Sequence, residues 1–103
     1  MSTIAEIFNE QGILTDEAMK EFEKRGTSVS CECPEHLVGL LRSVKEFTKY
    51  QENCLIEKPQ DEVIHNWLKA TSVNLEHLLS STIVSLARME GMLNDKNEFE
   101  SDD

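Results

Sequence analysis

The chain has 103 residues, of which 39% are hydrophobic and 29% charged, with 20 acidic against 10 basic residues. A chain of this length forms one domain near the lower limit for a self-sufficient core, so a dimer or a bound metal would add stability. The net charge of -10 repels phosphate backbones and anionic lipids. We therefore predict no direct binding to nucleic acid and no docking on a membrane.

No targeting segment is visible in the sequence. The N-terminus lacks the basic start and apolar stretch of a secretory signal, and the apolar run from Leu37 to Leu41 is too short to span a bilayer. An odd count of three cysteines, without a signal peptide, indicates reduced thiols. These features predict a cytoplasmic protein.

Two short helices are predicted before residue 30. Thr3 and Glu6 have the spacing of a capping box, and Gly12 ends the first helix. Thr15 caps the second helix, which Gly26 stops. The inward-facing side chains of the second helix are expected to be Ala18, Met19 and Phe22.

Two longer helices follow. Cys33 is predicted to cap the third, with Pro34 at its first position and its end near Asn53. Pro59 is predicted to open the fourth. Its apolar stripe alternates steps of three and four residues, which is typical of a long helix packed on a neighbour. The stripe consists of Ile64, Leu68, Thr71, Leu75, Leu78, Thr82, Leu86, Met89 and Leu93.

The pattern predicts an all-α fold, with an antiparallel hairpin of the two long helices and two short N-terminal helices packed on it in a four-helix arrangement. The second half of the last helix is apolar on more than one face, as Leu79, Ile83 and Val84 show. Such a helix is normally buried on two sides. We therefore expect a homodimer formed through this helix.

The predicted domain boundaries follow the same pattern. One helical domain covers residues 1–93. Within it, residues 1–30 hold the short helices and linker, and residues 31–93 hold the hairpin. Residues 94–103 are acidic and are predicted to be disordered.

The segment Cys31-Glu32-Cys33-Pro34-Glu35-His36 is the densest group of potential ligands. Thiolate and imidazole are preferred ligands of zinc, and thiolates also hold iron–sulfur clusters and haem. A helix N-terminus should favour the thiolate of Cys33. The segment predicts a metal site at Cys31, Cys33 and His36, with zinc as the first candidate metal. The alternatives are a redox disulfide between the two cysteines, or purely structural roles for them.

A tetrahedral zinc site needs a fourth ligand. Cys54 lies about 27 Å from His36 along a continuous helix, so it could complete the site only from a partner subunit. In an antiparallel hairpin His77 would lie level with His36 along the helix axes, although its side chain would point away from the apolar stripe. A surface role for His77 stays open.

Other polar residues could form smaller sites. Glu46, Tyr50 and Cys54 lie at successive turns and could line a pocket, and His65 could pair with Cys54. Trp67 is predicted to anchor the core. No catalytic set is recognisable, so we predict that the chain is not an enzyme.

The residues from Cys31 to Leu37, followed by Leu40, Leu41, Phe47, Tyr50, Cys54, Ile64, His65 and Leu68, resemble the C-terminal effector region of a proteobacterial group of MerR-family transcription regulators. The resemblance covers about sixty residues. It implies a sensing or structural role for Cys31, Cys33, His36, Cys54 and His65, and dimerisation through a long helix. Those regulators carry a basic DNA-binding domain before this region, whereas here a segment of about thirty residues with net negative charge precedes it. DNA binding is therefore not implied.

The function predicted from these features is that of a stand-alone sensing or regulatory module, which binds a metal or redox centre and acts through protein partners. The alternative is a non-metal interaction module, such as a regulator antagonist or adaptor, with structural cysteines. A small enzyme with Cys33 as nucleophile would need a paired base, and the sequence shows none.

Overall fold

A computed structural model describes residues 6–26 and 32–100 of the chain. Helix α1 spans Asp16–Gly26, α2 spans Cys33–Glu57 and α3 spans Glu62–Met89, with a 3₁₀ turn at Pro59–Asp61. The all-helical class is as predicted, but the four-helix arrangement with two short N-terminal helices is wrong, because the described residues form three helices. Within these residues, no helix combines the length and the apolar character that crossing a membrane requires.

Residues 6–15 form a loop where the sequence predicted most of a first helix; its expected start, Thr3, lies outside the described residues. The Asn9 side chain accepts hydrogen bonds from two backbone N–H groups of the loop, at 2.9 and 3.0 Å. By accepting these hydrogen bonds, the Asn9 side chain competes with the backbone hydrogen bonds that a helix would form. Gly12 has a φ of 78°, a left-handed conformation that glycine adopts without a steric cost. These two residues turn the chain back on itself.

The loop is fastened to the rest of the fold. Phe8 and Leu14 form an isolated antiparallel bridge across it. The backbone N–H of Leu14 donates to the Ser80 hydroxyl of α3 at 3.0 Å. The side chains of Ile7 and Ile13 are buried, so the loop contributes apolar surface to the core although it is not helical.

Helix α1 confirms the predicted second helix. The Thr15 hydroxyl accepts a hydrogen bond from the Ala18 N–H at 3.1 Å, as a capping residue does. An ion pair of 2.6 Å joins Glu23 of α1 to Arg42 of α2, and the hydrogen bond from the guanidinium lowers the pKa of Glu23. As predicted, the buried side chains of α1 are Ala18, Met19 and Phe22.

The ends of α2 differ slightly from those predicted. Glu32 is the capping residue and Cys33 is already helical, so the assignment of Cys33 as the cap is wrong. Pro34 is tolerated throughout the first turn, so it does not determine which preceding residue caps the helix. The helix continues past Asn53 to Glu57, which leaves a short connection to α3.

The half of the α2–α3 hairpin nearest the connection at Pro59–Asp61, which we call the tip half, is held together by polar side chains. The Thr48 hydroxyl donates to Glu76 Oε2 at 2.5 Å and lies 2.7 Å from the Ser72 hydroxyl. Nearer the tip, Gln51 Oε1 lies 2.8 Å from His65 Nδ1. We call these five residues the polar seam. All except His65 are buried, and buried polar groups are stable only when hydrogen-bonded.

The apolar stripe of α3 points away from α2, contrary to the predicted packing. Leu75, Leu78 and Met89 are exposed. The inward side of α3 combines Glu76, which accepts a hydrogen bond from Thr48, with the core residues Ile83 and Ala87 at the same helical spacing. With this side turned inward, the stripe lies outside. The residues of α3 that are buried are Ser72, Glu76, Ser80, Ile83, Val84 and Ala87.

The apolar core lies at the open end of the hairpin, where α1 and the N-terminal loop pack on it. Val38 and Leu41 of α2 meet Ile83, Val84 and Ala87 of α3 there, and all five are buried. The molecule is elongated, with principal extents of 55 × 26 × 20 Å, since α1 covers only part of the long hairpin. The tip half therefore depends on the polar seam.

Residues 94–100, which the sequence assigned to a disordered tail, fold back over α1. Leu93 and Phe99 form an isolated antiparallel bridge. The Phe99 ring lies 5.0 Å from the Phe22 ring, centroid to centroid, and the Arg25 guanidinium lies 4.9 Å from its centre. Acidic composition alone did not reveal that one aromatic side chain anchors this segment.

The hydrogen bonds of the polar seam lead to a first prediction. Replacing Thr48 with Val keeps the shape but leaves the buried Glu76 carboxylate without its donor, and should lower the free energy of unfolding by about 1–3 kcal/mol. In the matched control, Ser43→Ala alters an exposed polar residue of α2 that belongs to neither the seam nor the core, and it should change the free energy of unfolding by less than about 0.5 kcal/mol. Urea unfolding at one protein concentration measures both. Equal losses would contradict a stabilising role for the seam.

Candidate functional site

Two of the three predicted metal ligands lie in the described residues, at the start of α2. Cys33 is exposed in the first turn, and the His36 side chain is also exposed, with its Nε2 3.6 Å from a carboxylate oxygen of Glu32. An exposed pair of this kind contributes little stability. Cys31 lies outside the described residues. The thiol of Cys33 and the imidazole of His36 are therefore accessible from solvent.

Cys54 lies at the opposite end of α2, about 31 Å from Cys33 at 1.5 Å per residue. It is half-buried and shares a hydrogen bond with Tyr50, which raises the pKa of that phenol. His65 Nδ1 lies 2.8 Å from Gln51 Oε1, so one of its two ring nitrogens already has a partner. The possible pairing of His65 with Cys54 stays a prediction.

The two remaining candidates lie on other surfaces. Glu46 borders a groove between α1 and α2 that also contains Lys20 and Lys49, so it belongs to a different surface from Cys54. His77 lies beside the N-terminal loop; a Cβ added at Gly12 would be 3.4 Å from its ring. His77 thus lies on the side of α3 that faces the N-terminal loop.

Within residues 6–26 and 32–100, no group of three or more His, Cys, Asp or Glu side chains is placed to hold a metal ion. Because Cys31 and any partner subunit lie outside this description, the site at Cys31, Cys33 and His36 stays a prediction. The proposed zinc, iron–sulfur or haem ligation stays a prediction with it.

The most extensive feature is an apolar surface along the hairpin. We call it the uncharged face. It combines the stripe of α3 with a parallel row on α2, and all its members are exposed or half-buried: Leu40, Val44, Phe47, Ile64, Leu68, Thr71, Leu75, Leu78, Thr82, Leu86 and Met89. At these positions there is no Asp, Glu, Lys or Arg.

Both rows lie on the same side of the hairpin. The N-terminal loop covers one side of each helix. On α2 this side carries Lys45, whose ammonium donates to the Leu14 carbonyl at 2.6 Å. On α3 it carries Ser80, whose hydroxyl accepts a hydrogen bond from the Leu14 N–H. Residues two apart on a helix project about 160° from one another. Phe47 and Leu78 therefore point away from the loop and α1.

Trp67 borders this surface and is 67% exposed, so its prediction as a core anchor is wrong. The sequence pattern identified the stripe of α3, but we predicted that the stripe lies in the interior. A second row, Ser72, Glu76 and Ser80, has the same helical spacing, and this row faces inward instead.

No protein-family model matches the chain, and neither the curated proteins nor the solved structures yield a match. The resemblance to a MerR-family effector region therefore stays a hypothesis that rests on the sequence motif.

The Tyr50–Cys54 pair gives a spectroscopic prediction. The hydrogen bond to Cys54, with a smaller effect of thiolate charge, keeps Tyr50 protonated to higher pH than an ordinary phenol. Cys54→Ala should therefore move the pKa of Tyr50 down towards 10.0, its ordinary value. Tyr50 is the only tyrosine in the sequence, so ultraviolet absorption of the phenolate reports it directly. Cys33→Ala is the control and should leave the titration unchanged; identical curves for all three proteins would refute the contact.

The metal hypothesis has its own test. If Cys31, Cys33 and His36 bind a metal, the double change Cys31→Ser, Cys33→Ser should abolish metal content and lower the unfolding temperature, because metal binding contributes to folding stability. Elemental analysis with thermal melts, with and without chelator, measures both. Metal-free protein whose melting ignores chelator and the serine changes would eliminate the hypothesis.

Proposed function

We propose that the chain is a homodimeric protein-interaction module, in which the uncharged face of one copy packs on that of another. The observation that carries the proposal is the row of large apolar side chains left outside the hairpin. Leu78, in the middle of α3, is 62% exposed, and Leu40 of α2 is 55% exposed. A contiguous apolar surface of this kind is typical of a protein–protein interface.

The face is long and narrow. Its row on α3, from Ile64 to Met89, is about 38 Å long, and its row on α2, from Leu40 to Phe47, is about 10 Å long. With about 10 Å of width for each helix, one copy offers on the order of 500 Å². Two copies would therefore bury on the order of 1,000 Å², which is at the lower end of specific protein–protein interfaces.

The charge distribution favours a second copy as the occupant. The chain carries a net charge of -10, so two copies repel one another unless their carboxylates lie away from the contact. The uncharged face meets this condition along its whole length. A surface evolved to bind a basic partner would carry carboxylates at the contact, where electrostatic complementarity would steer binding.

The tip half of the hairpin also gains from such packing. Its interior is the polar seam, and its apolar side chains Phe47, Ile64 and Leu75 lie outside. Burying them against a second copy would contribute about 25 cal/mol for each Å² of apolar surface removed from water. In this proposal the cysteines need no metal for dimerisation.

Leu78→Glu tests the proposal. A carboxylate in the centre of both copies' faces should raise the dimer dissociation constant at least about 100-fold, because it places like charges in an apolar contact. Since Leu78 is largely exposed within one copy, the variant should remain helical. Sedimentation velocity across a concentration series measures the dissociation constant, and circular dichroism checks the fold.

Val63→Glu is the matched control, since Val63 is 83% exposed on α3 but lies outside the uncharged face. It should leave the dissociation constant within about threefold. A wild-type chain that stays monomeric at high micromolar concentration, or equal effects of the two glutamates, would overturn the proposal.

A further inference from the structure

A cleft lies between the N-terminal loop and the flank of α3 that faces it. It has a volume of about 370 Å³, within the range of small-molecule sites. His77, Ser81, Ser85 and Arg88 follow one another along α3 at steps of four, four and three residues, so they form one polar row. Phe8 of the loop and Val84 of α3 supply apolar wall.

The charge of the cleft is unusual for this chain. None of the described residues that line it is acidic, although 20 of the 103 residues are. Arg88 supplies a guanidinium to the lining, and one of its nitrogens donates a hydrogen bond to the Asn97 side chain. Hydroxyl and guanidinium donors without an adjacent carboxylate favour an anionic ligand.

The cleft is preformed. The Asn9 side chain braces the loop through its two backbone N–H bonds, and the Leu14–Ser80 hydrogen bond ties the loop to α3. Gly12, in its left-handed conformation, brings the loop backbone close to the His77 ring. A ligand would therefore meet fixed walls and would not have to order them, which lowers the cost of binding.

We propose that this cleft binds a small organic anion, a carboxylate or phosphomonoester on a compact apolar body. The anionic group would take the donors of Arg88, Ser81 and Ser85, and the body would contact Phe8 and Val84. The cleft lies on a different flank of α3 from the uncharged face, so the inference is independent of dimerisation and would survive its failure.

Titration with phenyl phosphate, followed by amide chemical shifts of the ¹⁵N-labelled full chain, tests the inference. Shifts should concentrate at Ser81, Ser85 and the loop around Gly12, and saturate. Benzoate in a second titration distinguishes a carboxylate from a phosphomonoester preference. Phenol, which lacks the anionic group, should bind at least about tenfold more weakly, since charge-assisted hydrogen bonds would be lost.

Arg88→Gln should weaken phenyl phosphate binding about tenfold, whereas Arg88→Lys should retain part of it because the charge remains. Lys49→Gln removes a cation from the groove between α1 and α2, outside the cleft, and is the control. Circular dichroism confirms that each variant is folded. Failure to saturate, equal binding of phenol, or equal losses in Arg88→Gln and Lys49→Gln would each overturn the inference.

Discussion

The hydrogen bond from Thr48 to the buried carboxylate of Glu76 governs the arrangement of the hairpin. A carboxylate taken out of water must be bonded, or it costs more stability than the surrounding contacts supply. The Thr48 hydroxyl stands opposite it on α2 and donates to it. The same hydroxyl lies 2.7 Å from that of Ser72, one turn before Glu76 on α3. Together with the burial of Ile83 and Ala87 at the same helical spacing, this requirement fixes the rotation of α3 about its axis and, with it, which residues lie outside. The exposed apolar surface follows from an inward side that is polar over half its length.

The sequence predicted where α3 lies more reliably than which way it faces. The predicted helix opens at Pro59 and its apolar stripe runs to Leu93, whereas α3 spans Glu62–Met89 and Leu93 is buried beyond its end. Its orientation could not be predicted in the same way, because the row through Ser72, Glu76 and Ser80 has the same period as the apolar stripe. Transfer free energies favour burying the stripe. The hydrogen bond from Thr48 to Glu76 and the packing of Ile83 and Ala87 in the core favour the opposite orientation.

The candidate sites show the same division between local and long-range information. Local rules placed Cys33 and His36 at the start of a helix and separated both from Cys54. They failed at the N-terminal loop, where the Asn9 side chain and the conformation of Gly12 override an amphipathic pattern. The cleft beside that loop joins residues about seventy positions apart, so no local spacing could indicate it.

The distribution of acidic residues links these surfaces. Between Val63 and Met89 the sequence contains one acidic residue, Glu76, and it is buried in the polar seam. Helix α3 thus presents three faces to three environments: the seam towards α2, the uncharged face towards solvent, and the row beginning at His77 towards the loop. In a chain of net charge -10, a carboxylate on either outer face would weaken the binding proposed for that face, because it would repel a second copy or an anion. The carboxylates of the described residues lie mainly on α1, α2 and the C-terminal segment, which keeps both outer faces of α3 available for binding.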